Sequence, residues 1–400
     1  MAGPAFALFT FASSLGLVLN AASKGGRFPA VFLSVVLGLH GASAALLYPA
    51  LGALGLAMFP LQAAVILHFW RLANPSDPSR AWRWLVSLPA SAFWAATFLG
   101  LPWAFASALG FTPAGVWIPF VGAAFGLAGT LRLKPEERDL PLDGAVIDGL
   151  HRVKPPPTPA GGRPLRLVQI TDPHLGTFMP VERLKAVCER AVAQDPDLIL
   201  LTGDFLTFET NGTRGALAEA LSPLKAMPGR VFACRGNHDL EAPEEVARSL
   251  AAVGARLLID EAVVVDTPAG KVQLVGADFR FRDRAQHLGA LASKYPRVPE
   301  TLRLWLLHDP MAFTSVPEGE ADLTLSGHTH GGQVGLVAFG LDWTVVSGLF
   351  GLPDHGLWAR GRDRMMIHRG TGHYGFPLRL GVPAEESLLR VWWTAEPKPA

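Results

Sequence analysis

The chain has 400 residues, a formal net charge of +1, and 17% charged against 50% hydrophobic residues. Near-neutrality removes the electrostatic footprint of a nucleic-acid-binding protein, and the length admits two or three domains. The apolar excess lies almost wholly before Leu133, where long uncharged runs alternate with short loops bearing Arg or Lys, the pattern of a multi-pass α-helical membrane domain.

In chain order, Pro4 to Ala22, Phe28 to Tyr48, Leu51 to Phe69, Leu85 to Trp103 and Val116 to Leu131 read as spanning helices. Most approach the roughly 20 residues that a bilayer requires. So many uncharged runs in succession leave no polar face for a soluble packing. The fifth run is short and contains Pro119, so four spans plus a re-entrant piece stays open as an alternative. No Lys or Arg precedes the first run, which argues against a cleaved signal peptide. Basic residues fall in alternate loops: Lys24 and Arg27, then Arg71, Arg80 and Arg83, then Arg132, Lys134 and Arg138. The positive-inside rule then places the N-terminus outside and everything after Leu131 in the cytoplasm. Trp70, Trp82 and Trp84 beside the basic loops suit an interfacial belt. His40 and His68 would lie at different depths, about eight residues apart at ~1.5 Å per residue, which favours helix packing over a shared haem.

Residues 134–163 change to charge and proline, with Pro155-Pro156-Pro157-Thr158-Pro159 and Gly161-Gly162, and read as a semi-rigid spacer. Ala145 to Val153 within it can form an edge strand. From residue 164 onward the pattern becomes strand, loop, helix: strands at Leu165 to Ile170, Asp197 to Thr202, Arg230 to Cys234, Lys271 to Val275, Leu302 to Leu307 and Ala321 to Leu325, with helices at Val181 to Ala193, Gly215 to Ala226 and Pro243 to Ala252. This alternation predicts an α/β domain over residues 164–400. Cys188 and Cys234 have no paired framework and read as buried thiols.

Five of these strands are followed by residues able to bind metal: Asp172 and His174, Asp204, Asn237, His308, and His328 with His330. Ligands of open α/β sheets bind at the carboxyl ends of strands, so groups far apart in sequence can converge there. The i, i+2 spacing within Asp172/His174 and within His328/His330 places each pair on one side of an extended chain, so that each pair can serve one centre. Two carboxylates, four imidazoles and one amide exceed the needs of one tetrahedral ion and suit two bridged divalent ions, manganese, iron or zinc. Such a centre implies phosphoester hydrolysis.

The runs Asp172-Pro173-His174, Gly203-Asp204, Gly236-Asn237-His238-Asp239, His308 and Gly327-His328-Thr329-His330 resemble, in order and type, the calcineurin-like metallophosphoesterases, over about Leu165 to Val391. The similarity extends to the membrane-associated bacterial branch through Gly327 to Gln333 and Arg379-Leu380-Gly381, with Pro173 a departure at a non-ligand position. The resemblance implies a two-sheet sandwich flanked by helices. It implies Asp172, His174 and His330 on one metal, Asn237, His308 and His328 on the other, and Asp204 bridging. His238 would be the general acid, with Asp239 orienting it; His151, His287, His355, His368 and His373 have no such placement.

The expected activity is membrane-anchored hydrolysis of a phosphorylated or pyrophosphate-linked lipid. Relatives in the superfamily that cleave UDP-diacylglucosamine are one model, a broad phosphomonoesterase or phosphodiesterase acting on small phosphoesters another, and an inactive membrane scaffold or receptor a third. Gly331 to Leu352, whose only charge is Asp342, is expected to form an apolar lip beside the metals, with a core strand and hairpin as the alternative.

Overall fold

The computed structural model describes residues 2–25, 27–72, 78–207 and 210–393. The side chains of Lys24 and Arg27, used in the charge argument above, and residues 394–400 of the expected α/β domain lie outside the described set. The chain divides into two compact units, one built on residues 2–131 with 210–213 and Tyr374–Leu380, the other on the rest from Arg132 onward.

In the first unit, Ala2–Ser23, Ala30–Leu47 and Pro49–Arg71 are long and apolar enough to cross a membrane. The expected fourth span is a pair, Arg80–Leu99 and Leu101–Ala108, bent by 54°. The bend falls at Gly100, with Pro102, which has no amide hydrogen to donate, in the first turn of the second helix. The fifth run gives only Ile118–Thr130, 13 residues, about 20 Å of helix against a hydrocarbon core of about 30 Å. The exterior is apolar, with Leu8, Leu54, Leu85, Phe105 and Phe125 exposed, whereas Thr10, Ser14, His40, Ser43, Gln62 and Thr97 are buried. This distribution is the reverse of a water-soluble bundle and suits helices solvated by lipid. His40 bonds Thr97 Oγ1 at 2.7 Å and Gln62 Oε1 at 2.8 Å, a packing role. Tyr374–Leu380 belongs to this unit: Leu378 is buried with Ala95, Ala96 and Ala123, and the Arg379 amide donates to Thr130 Oγ1 at 2.8 Å.

The second unit contains β1 (Leu133–Pro141), β2 (Ile147–Arg152), β3 (Leu165–Ile170), β4 (Leu198–Leu201), β5 (Val231–Ala233), β6 (Arg256–Leu257), β7 (Glu261–Thr267), β8 (Gly270–Gly276), β9 (Thr301–Leu306), β10 (Leu323–Ser326), β11 (Gly356–Gly361), β12 (Asp363–Ile367) and β13 (Ala384–Trp392). They form a six-stranded sheet in the order β1-β13-β3-β4-β5-β6 and a seven-stranded sheet in the order β2-β11-β12-β10-β9-β8-β7. Both are mixed, with β3, β4 and β5 mutually parallel, and β8, β9, β10 and β12 likewise.

Period-2 alternation builds the sandwich. Leu165, Leu167, Leu198, Leu200 and Phe232 of one sheet pack with Val272, Leu274, Leu302, Leu304, Leu323 and Leu325 of the other. The intervening Val168, Ile170, Ile199, Leu201 and Val231 point the opposite way, into a second cluster with Leu184, Val187 and Cys188 of the helix Val181–Ala193 and Val246 and Leu250 of Pro243–Ala252. Stacking the sheets in this way sets the carboxyl ends of β3, β4, β5, β9 and β10 along one edge.

β2 falls inside the edge strand expected at Ala145 to Val153, and β1, which starts at Leu133 and runs into the segment read as a spacer, is a second outer strand, one for each sheet. Prolines 135 and 141 are tolerated since β1 is an edge strand. Its charges are neutralised inside the fold: Arg369 Nη2 stands 2.5 Å from Glu136 Oε1 and 2.8 Å from Glu385 Oε2, and Arg138 is 3.5 Å from the same Glu385. Burial opposes charge on Glu385, yet Arg369, His368 and Arg138 hold its carboxyl well below the ordinary range. Arg369→Met would leave that carboxylate buried with its main partner gone, at an expected cost of about 3–5 kcal/mol. A clear fall in the melting temperature of the detergent-solubilised chain checks this.

Candidate metal centre

Every residue singled out for metal binding sits just past a strand end, and most have unusual backbone. Among the described non-glycine residues with φ in the left-handed region are Asp172 (49°), His174 (47°), Asp204 (57°), His328 (68°) and His330 (51°). Side chains other than glycine, Asn and Asp seldom adopt it, and such strain gathers where surrounding structure forces a side chain to a fixed place. The extended-chain argument for the i, i+2 pairs is therefore wrong in its geometry: sharp left-handed kinks aim these side chains.

They form two groups, Asp172, His174 and His330 in one, Asp204, His308 and His328 in the other. His328 and His330 are thus divided between the groups, instead of sharing one as the spacing suggested. His174 Nε2 and His330 Nε2 are 3.2 Å apart, and His330 Nε2 is 3.3 Å from Asp172 Oδ1. Asp204 Oδ2 lies between the groups, 3.6 Å from His174 Nε2 and 3.2 Å from His308 Nε2. Donors about 2.0–2.2 Å from an ion stand roughly 3–3.5 Å from each other, so these spacings fit coordination.

The surroundings fit as well. His308 Nδ1 donates to the Thr202 carbonyl at 2.7 Å, which leaves Nε2 as the free donor atom, as metal-binding imidazoles require. Asn237 Oδ1 is buried without a hydrogen-bond partner, an available neutral oxygen. Burial opposes charge on His308, but the carboxylates of Asp204 and Asp172 raise its pKa to about 10. The site therefore demands a positive charge, and a divalent ion answers that demand better than a proton. Burial lowers His174 to about 3, leaving it a neutral ligand. Asp172 is kept well below the usual carboxylate range, since the charges of His330 and His308 outweigh its burial.

Backbone amides fix the carboxylates. The His328 amide donates to both oxygens of Asp172 at 3.0 Å, and the His238 amide donates to Asp204 Oδ1 at 2.9 Å. Two glycines allow this approach: a Cβ on Gly327 would stand 2.1 Å from Asp172 Oδ2, and one on Gly236 2.1 Å from Asp204 Oδ1.

His238 lies over the first group, its ring centre 5.4 Å from that of His174. Asp239 does not orient it, contrary to expectation. The Asp239 carboxylate is fully buried and accepts the amides of Asp204, Phe205 and Gly236, each at 2.8 Å. Burial and the charge of Asp204 push it up to about 7. The partner of His238 Nδ1 is Glu241 Oε1, at 2.9 Å. Sequence reasoning missed Glu241, although an i, i+3 pair in a 3₁₀ turn places side chains in line. Burial works against protonating His238, but the Glu241 hydrogen bond and nearby carboxylates raise its pKa above the ordinary value. Elsewhere, His287 pairs with Asp260, His355 with Asp354, and His373 packs on Phe178. His368 accepts the Gly370 amide, and His151 is exposed.

The lip is an exposed feature, and the core-hairpin alternative fails. Its base makes bridges at Val334 and Gly335, but between Leu336 and Leu352 only Thr344 is buried. Phe339, Leu349 and Phe350 are 77%, 69% and 67% exposed.

A two-sheet α/β sandwich that gathers carboxylates and imidazoles at its strand ends defines a metal-dependent phosphoesterase. The family model described as calcineurin-like phosphoesterase matches residues 165–332. The chain is 31% identical over 233 residues to "Phosphodiesterase YaeI" of Escherichia coli, covering 57% of this chain and 82% of that one. It is 27% identical to "Transmembrane protein with metallophosphoesterase domain" of Danio rerio, over 55% of this chain and 52% of that protein. It is 24% identical to "UDP-2,3-diacylglucosamine pyrophosphatase LpxG" of Chlamydia muridarum, over 56% and 83%. This chain belongs to the calcineurin-like phosphoesterase family and is a hydrolase. Members of that family use divalent metals.

Proposed function

We propose that the protein is a membrane-anchored phosphohydrolase that cleaves a phosphoester or pyrophosphate bond in a lipid-linked substrate. The observation that carries this reading is the exposed apolar lip, which grows directly out of the loop bearing His328 and His330. A soluble small-molecule enzyme has no use for such a surface in water. Helices long and apolar enough to span a bilayer keep the domain of the same chain close to lipids. The relative named as a UDP-2,3-diacylglucosamine pyrophosphatase supports the same class; the named phosphodiesterase supports a broader phosphodiesterase reading.

Asp172, His174 and His330 would hold one divalent ion, and Asn237, His308 and His328 the other, with Asp204 shared. Manganese, iron and zinc all suit these donors. Bound there, two ions supply a water of lowered pKa and neutralise phosphoryl charge. The chain's own residues do the rest. His238, protonated and held by Glu241, donates its proton to the leaving oxygen, while Asp239 keeps the Asp204 loop rigid through its three amides.

Asp204→Asn is expected to abolish turnover and to lower bound metal measured by elemental analysis. His238→Asn should keep its metal while losing about 10²- to 10⁴-fold in kcat, with Glu241→Gln intermediate. Normal turnover by chain stripped of metal would sink this assignment.

Burying one apolar side chain is worth about 1.5–3 kcal/mol, so two or three from the lip would contribute about 3–9 kcal/mol to lipid engagement. Polar replacement of Phe339, Leu349 and Phe350 should therefore impair hydrolysis of a long-chain lipid far more than that of a soluble aryl phosphate. Equal losses would assign the lip a purely structural role.

The alternate-loop charges favour a phosphoesterase domain in the cytoplasm, a reading that needs the 13-residue helix Ile118–Thr130 to cross the bilayer, since a re-entrant fifth run puts the domain on the other side. A reporter fused after Leu133 should be active on the cytoplasmic side; activity only on the outer side would reverse the orientation.

A further inference from the structure

The lip combines an apolar surface with a fixed shape, and one buried carboxylate accounts for the fixing. The chain leaves His330 through Gly331 and Gly332, runs out to the exposed tip at Phe339, and returns to Thr344. Thr344 is 0% exposed and caps the short helix Val345–Phe350, accepting the Ser347 amide at 3.1 Å while Ser347 Oγ accepts the Thr344 amide at 3.3 Å. Its hydroxyl also donates to Asp354 Oδ2. The other carboxylate oxygen, Oδ1, accepts Arg152 Nη2 and lies 2.9 Å from His355 Nδ1. Arg152 in turn donates to the Asp342 carbonyl, on the exposed side of the lip.

The same residue reaches the metal loop. Thr329, which stands between His328 and His330, donates its hydroxyl to the Asp354 carbonyl at 2.7 Å. Gly332 closes the gap, since a Cβ there would stand 2.8 Å from Thr344 Oγ1. Asp354 thus holds the base of the lip through its side chain and the metal-binding turn through its backbone. Burial resists charge on Asp354, but hydrogen bonds from His355 and Thr344 and the charges of His355 and Arg152 keep its carboxyl below the ordinary range. A fully buried carboxylate with several partners is an expensive feature to keep at a loop base unless the loop must hold one position.

We propose that Asp354 is a positioning residue: it locks the apolar lip in register with the His328–His330 turn and so sets the preference for substrates bearing long acyl chains. This rests on the lipid reading above. A lip free to swing would bind acyl chains only after ordering itself, which raises KM; a soluble aryl phosphate never meets the lip. The chemistry at His238 and Glu241 lies on the β5 loop and does not pass through Asp354.

The test uses the full chain in lipid nanodiscs, with Asp354→Ala, Thr344→Val and the hydroxyl-keeping Thr344→Ser. Hydrogen exchange of the amides from 336 to 352 should quicken by about tenfold in the first two, the effect of losing one cap with its hydrogen bond. The ratio of kcat/KM for a long-chain phosphodiester lipid to that for an aryl phosphate should fall by about as much, mainly through KM, at unchanged metal content. Thr344→Ser should restore both readouts. Wild-type exchange in Thr344→Val and Asp354→Ala would overturn the lock. Faster exchange with an unchanged substrate ratio would overturn its role in selection. Failure of the lipid reading itself shows earlier and separately, as an inability of the unsubstituted chain to cleave any lipid phosphoester while still turning over the aryl phosphate.

Discussion

Everything chemical in this molecule depends on holding two carboxylates, Asp172 and Asp204, side by side among four imidazoles. Placed so, like charges repel, and burial raises the cost. The fold meets it with dipoles and tight backbone. Asp172 takes the His328 amide and the Thr171 hydroxyl, and Asp204 takes the His238 amide. The Asp204 loop is itself clamped by Asp239. Each device needs main chain to come within contact distance of a carboxylate, which is why glycine stands at 236 and 327. What remains unbalanced is charge, visible in the raised pKa of His308, and divalent cations are the natural complement.

The strand ends were legible because their signal is local. Buried parallel strands such as Leu198–Leu201 and Val231–Ala233 are short apolar runs, and a polar residue after such a run is conspicuous. Strands β1 and β13 were not legible for the converse reason. β1 carries Glu137, Arg138 and Asp139, and β13 carries Glu385 and Arg390; they pair with each other across the sheet and across the sequence. Only the three-dimensional partner turns such charge into a strand. Local pattern also fails for Asp239 and Glu241. Both are acidic and near His238, and only coordinates show that one faces amides and the other the ring.

The helical unit shows a parallel split. Uncharged runs announced the helices, but hydropathy does not register a bend. Gly100 and the proline after it turn one apolar run into two helices at 54°, and Pro119 shortens the next. Helix breakers at such places are tolerated in lipid only where neighbours satisfy the freed backbone groups. Here the Gly100 amide reaches the Ala96 carbonyl at 2.8 Å, and the Ala104 amide the Gly100 carbonyl at 2.9 Å, so the chain turns without orphaning those groups.

The lip runs against the usual tendency of folding. Water penalises its exposed Phe339, Leu349 and Phe350, and collapse onto the domain would relieve that penalty by roughly 1.5–3 kcal/mol for each side chain covered. The structure prevents collapse with polar fastenings: the capping box at Thr344, the left-handed Gly351 that ends the helix, and Asp354 beneath. Hydrogen bonds of this kind contribute about 0.5–1.5 kcal/mol apiece, more when one partner is charged, so several together are of the right size to oppose burial of two or three apolar groups. An apolar loop with no fastening would be expected to bury itself. A fastened one stays open, with Phe339, Leu349 and Phe350 held in solvent.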